Sequence, residues 1–302
     1  MFRRLIIAAA ILAITGFAAF WVLTTARTLT AADLPDHQPD LANGEDMFWA
    51  GGCESCHAAP GAAGEDLFKL GGGEPLTTPF GIFYPSNIST HRQDGIGDWT
   101  LADFVNAMKF GVGADGRHLY PAFPYTSYQR MRIADIIDLK AFLDTLPAVA
   151  GLAPDHRLPF PFSIRRGLGA WKLLYVDGET LAPDPALDAA TIRGAYLVEG
   201  PAHCGECHSP RNAIGGIDRS RLLGGGPAPE GTDMVPNITP HADAIGGWTD
   251  EDIVFALESG ITPSFESLGA PMNAVQRNMA RLDPADLAAI ARYLKSVPEI
   301  AP

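Results

Sequence analysis

The chain has 302 residues, 47% of them apolar, and its 22 Lys and Arg against 35 Asp and Glu give a formal charge of −13. This composition excludes an intrinsically disordered tail and a nucleic-acid-binding protein, whose surface would be basic. Three of the 22 basic residues and none of the 35 acidic ones lie before Asp33, so residues 33–302 carry a charge of −16. A body this acidic favours solubility and a basic docking partner. The length allows two domains, and the 32 Gly and 25 Pro residues predict long loops.

The amino terminus predicts a membrane anchor. Residues 5–23 carry no charge, and a helix of that length is about 30 Å long, enough to cross the hydrocarbon core of a bilayer. Arg3 and Arg4 precede this run and place the amino end in the cytoplasm. A cleavable signal peptide is the alternative, but the apolar region of a signal is shorter, about 7–15 residues. Residues 1–32 are thus a membrane anchor or signal segment. We expect residues 33–302 to lie in the periplasm, held at the inner (cytoplasmic) membrane.

The exported part contains an internal repeat with an offset of about 150 residues. Residues 53–57 (CESCH) match residues 204–208 (CGECH), and matching loop segments begin at Asn87 and Asn237. A fixed offset of this kind is typical of a duplicated structural unit. The predicted boundaries are residues 33–147 for the first unit, 148–190 for a Pro-rich packed linker and 191–302 for the second unit.

Both units have the same predicted order: an opening helix, the C-x-x-C-H segment, a long Gly-rich loop, a middle helix and a closing helix. Thr100 and Asp103 form a capping pair for the first middle helix, and Thr249 and Asp252 repeat it in the second unit. The other predicted helices, including one in the linker, cover residues 44–49, 133–146, 165–176, 192–198 and 284–297. No run alternates with a period of two residues, so the sequence predicts an all-α fold without strands.

The two C-x-x-C-H segments predict the chemistry of the chain. Two thiols separated by two residues can form thioethers to both vinyl groups of one haem, while the imidazole that follows ligates the iron. A zinc site would have to join thiol pairs that lie 151 residues apart, and a thioredoxin-like redox pair expects a βαβ context that the pattern lacks. We therefore predict two covalently attached haem c groups. The predicted attachment residues are Cys53, Cys56, Cys204 and Cys207, and the predicted axial ligands are His57 and His208.

These segments and their surroundings resemble a known family. The resemblance is carried by GAYLVEGPAHCGECHSPRN around the second C-x-x-C-H segment, by PNIT and IGGWT after it, and by RHLYPAFPYTSY in the first unit. Most of residues 40–298 is similar to the exported cytochrome c subunits of bacterial alcohol and gluconate dehydrogenases and to the dihaem cytochromes that accompany molybdenum hydroxylases. The resemblance implies two tandem cytochrome c-like helical domains. One departure is that the alcohol-dehydrogenase type has three haems, whereas this chain predicts two.

The same resemblance implies roles for several other residues. Asn87 and Asn237 resemble residues of loops near haem propionates, with Trp99 and Trp248 close by. The alternative is that the asparagines form turns and the tryptophans belong to the core. Arg211 either neutralises a propionate or is a solvated surface residue.

The distal ligand of the second haem is predicted to be Met272. The family resemblance places its methionine there, in a Pro-containing loop at residues 269–272 that we expect to present the sulfur rigidly. Met279 is the alternative, although a methionine just before the closing helix also suits core packing.

The distal ligand of the first haem is harder to assign, because the chain departs from the family pattern there. Relatives read YPAMPY where this chain has Phe123 in place of the methionine, and a phenylalanine cannot ligate iron. We predict Met131, which ends the same loop. An open haem is one alternative, His118 in the loop is another, and Met108 in the middle helix is a third.

The function that follows is electron transfer from a periplasmic dehydrogenase partner toward the respiratory chain, without catalytic residues in this chain. Methionine ligation raises a haem potential, so such a protein accepts electrons readily. The alternative is a dihaem enzyme, peroxidase-like or thiosulfate-oxidising, with an open or labile first haem. A structural or assembly subunit has no sequence feature in its favour.

The duplicated motif makes a prediction about cofactor content. Denatured protein is expected to keep two haems per chain, because thioether bonds survive unfolding. Haem staining after gel electrophoresis and a pyridine haemochrome assay measure this content. One haem or none would contradict the assignment.

Overall fold

The computed structural model describes residues 1–231 and 233–301, and it is mostly helical, as predicted. Its helices are α1 (Phe2–Leu23), α2 (Leu41–Ala50), α3 (Cys53–His57), α4 (Leu101–Phe110), α5 (Tyr125–Tyr128), α6 (Ile133–Leu143), α7 (Gly167–Tyr175), α8 (Ala189–Glu199), α9 (Gly205–His208), α10 (Asp250–Ser259), α11 (Ala270–Met279) and α12 (Pro284–Ser296). Two antiparallel hairpins pair β1 (Leu76–Thr78) with β2 (Gly81–Phe83) and β3 (Gly226–Pro227) with β4 (Met234–Val235).

The element order after α1 repeats. An opening helix, a short helix at the C-x-x-C-H segment, a hairpin, a middle helix, a further helix and a closing helix occur once before α7 and once after it. In the first half α2 packs along α6, and α4 packs against α5 and α6. In the second half α8 packs along α12, and α10 packs against α11 and α12. The predicted repeat therefore extends to the packing of the helices.

The two middle helices begin and end at the residues that the sequence indicates. Thr100 accepts a hydrogen bond from the backbone N–H of Asp103, whose carboxylate accepts one from the N–H of Thr100 at 2.9 Å. Thr249 and Asp252 form the same reciprocal pair. Each helix stops at a glycine in the left-handed region, Gly111 with φ 59° or Gly260 with φ 75°, where other residues are strained. The predicted capping boxes are confirmed.

The opening and closing helices approach each other closely because each opening helix has a glycine at the crossing. A methyl group at Gly44 would overlap the backbone carbonyl of Asp138 on α6. A methyl group at Gly194 would overlap the carbonyl of Ala289 on α12. Both glycines are therefore required by the distance between helices and not by their own backbone conformation.

The apolar core lies between these helices and continues from one half to the other. Its fully buried members include side chains of α2, of the segment before α6, of α6 itself, and of α8 and α12: Met47, Phe48, Met131, Ile136, Leu197, Leu287 and Ile290. The core therefore lies beside both C-x-x-C-H segments, which follow α2 and α8 directly.

The prediction that the fold needs no strands is wrong. Two hairpins form, but their strands are only two or three residues long, too short to show an alternating pattern. Several helix ends also differ from prediction. The closing helix α6 ends at Leu143 instead of residue 146, and α12 ends at Ser296 instead of residue 297.

Helix α11 is a further correction. The sequence analysis placed Met272 in a loop, whereas the structure places it in the first turn of α11. The helix begins with Pro near its first position, where the missing N–H of proline costs nothing. The proline of this segment was interpreted as part of a loop, whereas it lies at the start of a helix.

The linker contains the predicted short helix, α7, and this helix packs on both halves. Lys172 donates to the carbonyl of Gly111 at 2.6 Å, and the indole N–H of Trp171 donates to the carbonyl of Ile214 at 2.9 Å. Helix α1 is long and apolar enough to cross a membrane, and none of its side chains is buried.

A substitution at the glycine crossing tests this packing. Gly194→Ala is expected to lower the free energy of unfolding by about 1–3 kcal/mol, because the clash with α12 outweighs the roughly 1 kcal/mol gained in helix propensity. Denaturant unfolding followed by circular dichroism measures the change. Gly247→Ala is the matched control, since nothing lies within 4 Å of its added methyl group. Equal stability of both variants would contradict the close crossing.

Candidate functional site

The two C-x-x-C-H segments fold as single helical turns at the ends of α2 and α8. A residue with left-handed backbone precedes each turn, Gly52 with φ 56° in the first and His203 with φ 41° in the second. These two residues occupy the same position of the repeat, one before the first cysteine. Their left-handed backbone changes the direction of the chain after the opening helix. The helical turn that carries the cysteines and the histidine begins at the next residues.

The cysteines form no disulfide. Burial raises the pKa of the Cys53 thiol and that of the Cys204 thiol to about 12, so neither position favours a thiolate. A neutral thioether suits such an apolar position. Within the residues that the structure describes, no three His, Cys, Asp or Glu side chains are grouped as a metal ion would require. The zinc alternative therefore has no support.

The two histidines predicted as axial ligands are held in the same way. His57 Nδ1 lies 2.7 Å from the carbonyl oxygen of Ser86, and His208 Nδ1 lies 2.8 Å from that of Pro236. A carbonyl only accepts, so each Nδ1 carries the proton and donates it. Burial lowers the pKa of both imidazoles, which favours their neutral form. Each Nε2 then keeps its lone pair for iron, and the carbonyl fixes the orientation of the ring.

The carbonyl acceptors Ser86 and Pro236 were missed by the sequence analysis. The signal was present, because each immediately precedes Asn87 or Asn237 in the repeated loop segment. The contact itself is made by a backbone carbonyl, a group that the residue type does not reveal.

The two asparagines hold these loops in place. Asn87 Nδ2 donates to the carbonyls of Val149, at 2.6 Å, and Gly151, at 2.9 Å, while its Oδ1 accepts from the N–H of Ser89. Asn237 Nδ2 donates to the carbonyl of Ile300 at 2.6 Å. These amides are used within the protein. This use is the one expected of turn residues.

The two C-x-x-C-H segments contact the opposite halves of the molecule at equivalent positions. Ser55 Oγ accepts a hydrogen bond of 2.8 Å from Asn278 of α11. Glu206, at the corresponding position of the second segment, accepts from Ser127 Oγ at 2.8 Å and also from Thr126 Oγ1, both in α5. Each segment therefore binds the short helix that precedes the closing helix of the other half.

Tyr128 lies between the two segments. Its hydroxyl donates to the carbonyl of Gly51 at 3.1 Å, beside the first segment. Its ring packs edge-on against the ring of His203, beside the second segment, with centroids 5.4 Å apart. Burial chiefly raises the pKa of the Cys207 thiol to about 11, and Cys56 is close enough to contribute to that shift. The two attachment segments are therefore neighbours in space although they are far apart in sequence.

Glu206 is nearly buried and is balanced by one cation. Arg211 donates from Nη2 to Glu206 Oε2 at 2.6 Å and to the Glu206 carbonyl at the same distance. Its Nη1 donates to the carbonyl of Gly215. The Arg211 guanidinium is therefore partly buried and paired within the protein, unlike a freely solvated surface arginine.

The candidate distal ligands have different surroundings. Met272 is partly buried in α11, and Met279, at the other end of that helix, is buried in the core. Met131 is buried in the core with its side chain next to Gly200 of the second half, and Met108 is buried in α4.

His118 is not available as an iron ligand in this structure. Its Nε2 lies 2.9 Å from the carbonyl oxygen of Thr24, and Lys172 Nζ lies 3.2 Å from its Nδ1. Both ring nitrogens are therefore used in hydrogen bonds. Phe123, at the position of the family's methionine, packs on Tyr128 with ring centroids 5.4 Å apart.

Comparisons with known proteins agree with this geometry. A cytochrome c family model matches residues 192–298. A diheme cytochrome c-type protein of Cereibacter sphaeroides is 50% identical over 86% of this chain and 87% of its own length. The fructose dehydrogenase cytochrome subunit of Gluconobacter japonicus is 38% identical over 87% of this chain and 53% of its own length. The gluconate 2-dehydrogenase cytochrome c subunit of Pantoea cypripedii is 34% identical over 89% of this chain and 63% of its own length.

The chain therefore belongs to the cytochrome c family, whose members bind haem c covalently. The predicted resemblance to cytochrome subunits of bacterial dehydrogenases is confirmed. The chain spans most of the diheme relative but only half to two thirds of the two dehydrogenase subunits.

The Glu206 contact makes a prediction about stability. Glu206→Ala is expected to lower the free energy of unfolding by about 3 kcal/mol, because Arg211 then loses its partner and α5 loses its acceptor. Denaturant titration followed by far-ultraviolet circular dichroism measures this change. Glu65→Ala, at an exposed site, serves as the control and is expected to change stability by less than about 0.5 kcal/mol. A loss no larger than that of the control would show that the buried pair contributes nothing.

Proposed function

We propose that this protein is a periplasmic dihaem c-type cytochrome that carries electrons from a partner dehydrogenase toward the respiratory chain. The observation that carries the proposal is the duplicated site, with a C-x-x-C-H turn and an imidazole whose Nδ1 donates to a carbonyl in both halves. One haem c is assigned to Cys53, Cys56 and His57. The other is assigned to Cys204, Cys207 and His208. When bound, these groups supply one-electron redox chemistry, and the protein supplies attachment, orientation and an apolar surrounding.

The arrangement of the two segments supports an electron carrier. Ser55 and Glu206 both lie at the contact between the halves, and Tyr128 touches the neighbours of both segments. Two redox groups attached at adjoining segments lie close enough together for electrons to pass between them. The relatives named as dehydrogenase cytochrome subunits support a dehydrogenase as the electron donor. The acidic body favours a basic docking surface on a partner.

Membrane attachment and the domain boundaries are part of this proposal. Helix α1, which contains the apolar residues 5–23, supports an uncleaved anchor in the inner membrane with residues 33–302 in the periplasm. The repeated packing supports two cytochrome c domains, at residues 33–147 and 191–302, with residues 148–190 as the packed linker.

For the second haem we propose Met272 as the distal ligand. Met272 stands where the family resemblance places a methionine, and its side chain is partly buried. It lies on α11, the helix that also reaches the first site through Asn278.

For the first haem we propose Met131. Its backbone N–H donates to the carbonyl of Tyr128, and Tyr128 contacts Gly51 beside Cys53, so this segment reaches the first site. The hydrogen bonds of His118 count against that residue, while Met108 and an open position remain the competing assignments.

Met272→Ala tests the assignment of the second haem. It is expected to lower the potential of one haem and to remove one sulfur-to-iron charge-transfer band, because alanine offers no ligand. Redox titration and absorption spectroscopy of the oxidised protein measure both effects. Met279→Ala, on the same helix, is expected to keep the band. Loss of the band in Met279→Ala alone would reverse the assignment.

Carbon monoxide binding tests both the first haem and the function. A carrier with two six-coordinate haems is expected to bind no carbon monoxide in its reduced wild-type form and to leave peroxide and thiosulfate unreacted. Met131→Ala is expected to open one haem to carbon monoxide, as measured by absorption and magnetic circular dichroism. Wild-type binding at one haem, together with peroxidase or thiosulfate-oxidising activity, would favour the dihaem enzyme. Unchanged ligation in Met131→Ala would exclude Met131.

A further inference from the structure

A short apolar loop in the linker is exposed although it contains large side chains. We define the linker loop as residues 158–164, of sequence LPFPFSI. Phe160 is 81% exposed and Ile164 is 51% exposed. The loop is also held by contacts with the first half of the chain. The Tyr120 hydroxyl donates to the carbonyl of Phe162 at 3.0 Å, and the Phe162 ring packs edge-on against Phe80 with centroids 5.0 Å apart. Exposed phenylalanine on a supported loop is typical of a surface that binds something apolar.

The residues that follow this loop contact the end of the membrane helix. Arg166 donates from Nε to Thr24 Oγ1 at 2.8 Å and from Nη2 to the carbonyl of Trp21. Its guanidinium also lies over the Trp21 ring, 4.4 Å from the centroid. Tryptophan at the end of a membrane-spanning helix lies at the level of the lipid headgroups. Arg166 is therefore at that level, and Ile164 is only two residues away from it.

The contact between α1 and the rest of the molecule is rigid. The carbonyl of Thr24 accepts a hydrogen bond at 2.9 Å from His118, and Thr24 packs against Gly169 of α7. After the helix, Leu29 and the Asn106 side chain exchange two hydrogen bonds, of 2.7 and 2.9 Å. The linker loop therefore keeps a fixed position relative to the end of α1 and to the bilayer that α1 enters.

The charge of this region is opposite to that of the whole chain. Residues 156–176 contain four basic and no acidic residues, whereas the chain carries −13 overall. Arg157 and Arg165 flank the loop, and Arg165 is held by a hydrogen bond to the carbonyl of His118 and by the Tyr120 ring. Basic residues beside an exposed apolar tip complement anionic lipid headgroups above an acyl layer.

We propose that the linker loop is a second membrane contact, which inserts Phe160 and Ile164 into the periplasmic leaflet while the flanking arginines bind anionic headgroups. The proposal rests on membrane anchoring by α1, which is part of the proposed function. With this second contact, the linker holds the haem domains in one orientation above the bilayer. The insertion is shallow, about 5–10 Å into the boundary between headgroups and acyl chains, as for other interfacial segments.

Thiol protection in lipid nanodiscs tests the proposal with the full-length holoprotein. The four native cysteines are thioethers in that form, so a single introduced cysteine is the reactive thiol. Phe160→Cys in discs of phosphatidylcholine and phosphatidylglycerol is expected to react several-fold more slowly with a charged, lipid-insoluble maleimide than Phe265→Cys. Phe265 is the matched control because it is 87% exposed and lies in the second half of the chain, far from α1 in the sequence.

A third variant separates failure of the loop from failure of the anchor. Ile11→Cys, in the middle of α1, is expected to be fully protected in the discs. Protection at residue 11 with fast reaction at residue 160 would overturn the loop contact and leave the anchor intact. Fast reaction at both positions would overturn membrane anchoring itself. Fast reaction at residue 160 that slows only when the partner dehydrogenase is added would assign the loop to a protein interface and overturn the lipid contact.

Discussion

The hydrogen bond from the imidazole of each C-x-x-C-H segment to a backbone carbonyl is the interaction on which the rest of the structure depends. His57 must donate to Ser86, which lies 29 residues further along the chain, so the long loop between them has to return to the site. Asn87 holds the end of that loop by donating to carbonyls that follow the closing helix. The closing helix in turn packs on the opening helix, which leads directly into the attachment turn. The orientation of the imidazole therefore depends on the asparagine that holds the loop and on the packing of the opening and closing helices. The second half repeats this arrangement around His208.

The duplication did not produce two identical sites. Ser55 and Glu206 occupy the same position of the repeat and make the same kind of contact with the opposite half, but one is a neutral hydroxyl and the other is a carboxylate. Burying the carboxylate requires a cation, and Arg211 supplies it from the segment just after the second attachment turn. The first segment instead buries Glu54, whose pKa is raised by that burial. The electrostatic surroundings of the two sites therefore differ.

A second network of contacts joins the linker, α1 and the first half. Lys172 is buried where α7 meets the first half, and burial lowers its pKa to about 7, so its neutral form is accessible under ordinary conditions. Arg166, His118 and Thr24 connect that helix to the end of α1. A helix joined to the rest of the chain by several hydrogen bonds cannot swing freely. The orientation of α1 relative to the first half is thereby fixed.

The sequence alone determined the class of the protein, because its evidence is local. Two C-x-x-C-H segments, two capping boxes and one long apolar run are patterns of neighbouring residues. They predicted the haem attachment residues, the middle helices and a membrane anchor, and the recurrence of such local patterns about 150 residues apart predicted the repeat. What only the tertiary structure decided involves groups far apart in the chain or groups without a side-chain signature. The carbonyls of Ser86 and Pro236 bind the imidazoles through backbone atoms that every residue has. Arg211 pairs with Glu206, and His118 with Thr24, because packing brought them together. The distal ligands are not fixed by the sequence for the same reason, since whether a methionine sulfur reaches an iron depends on how distant parts of the chain pack around the haem.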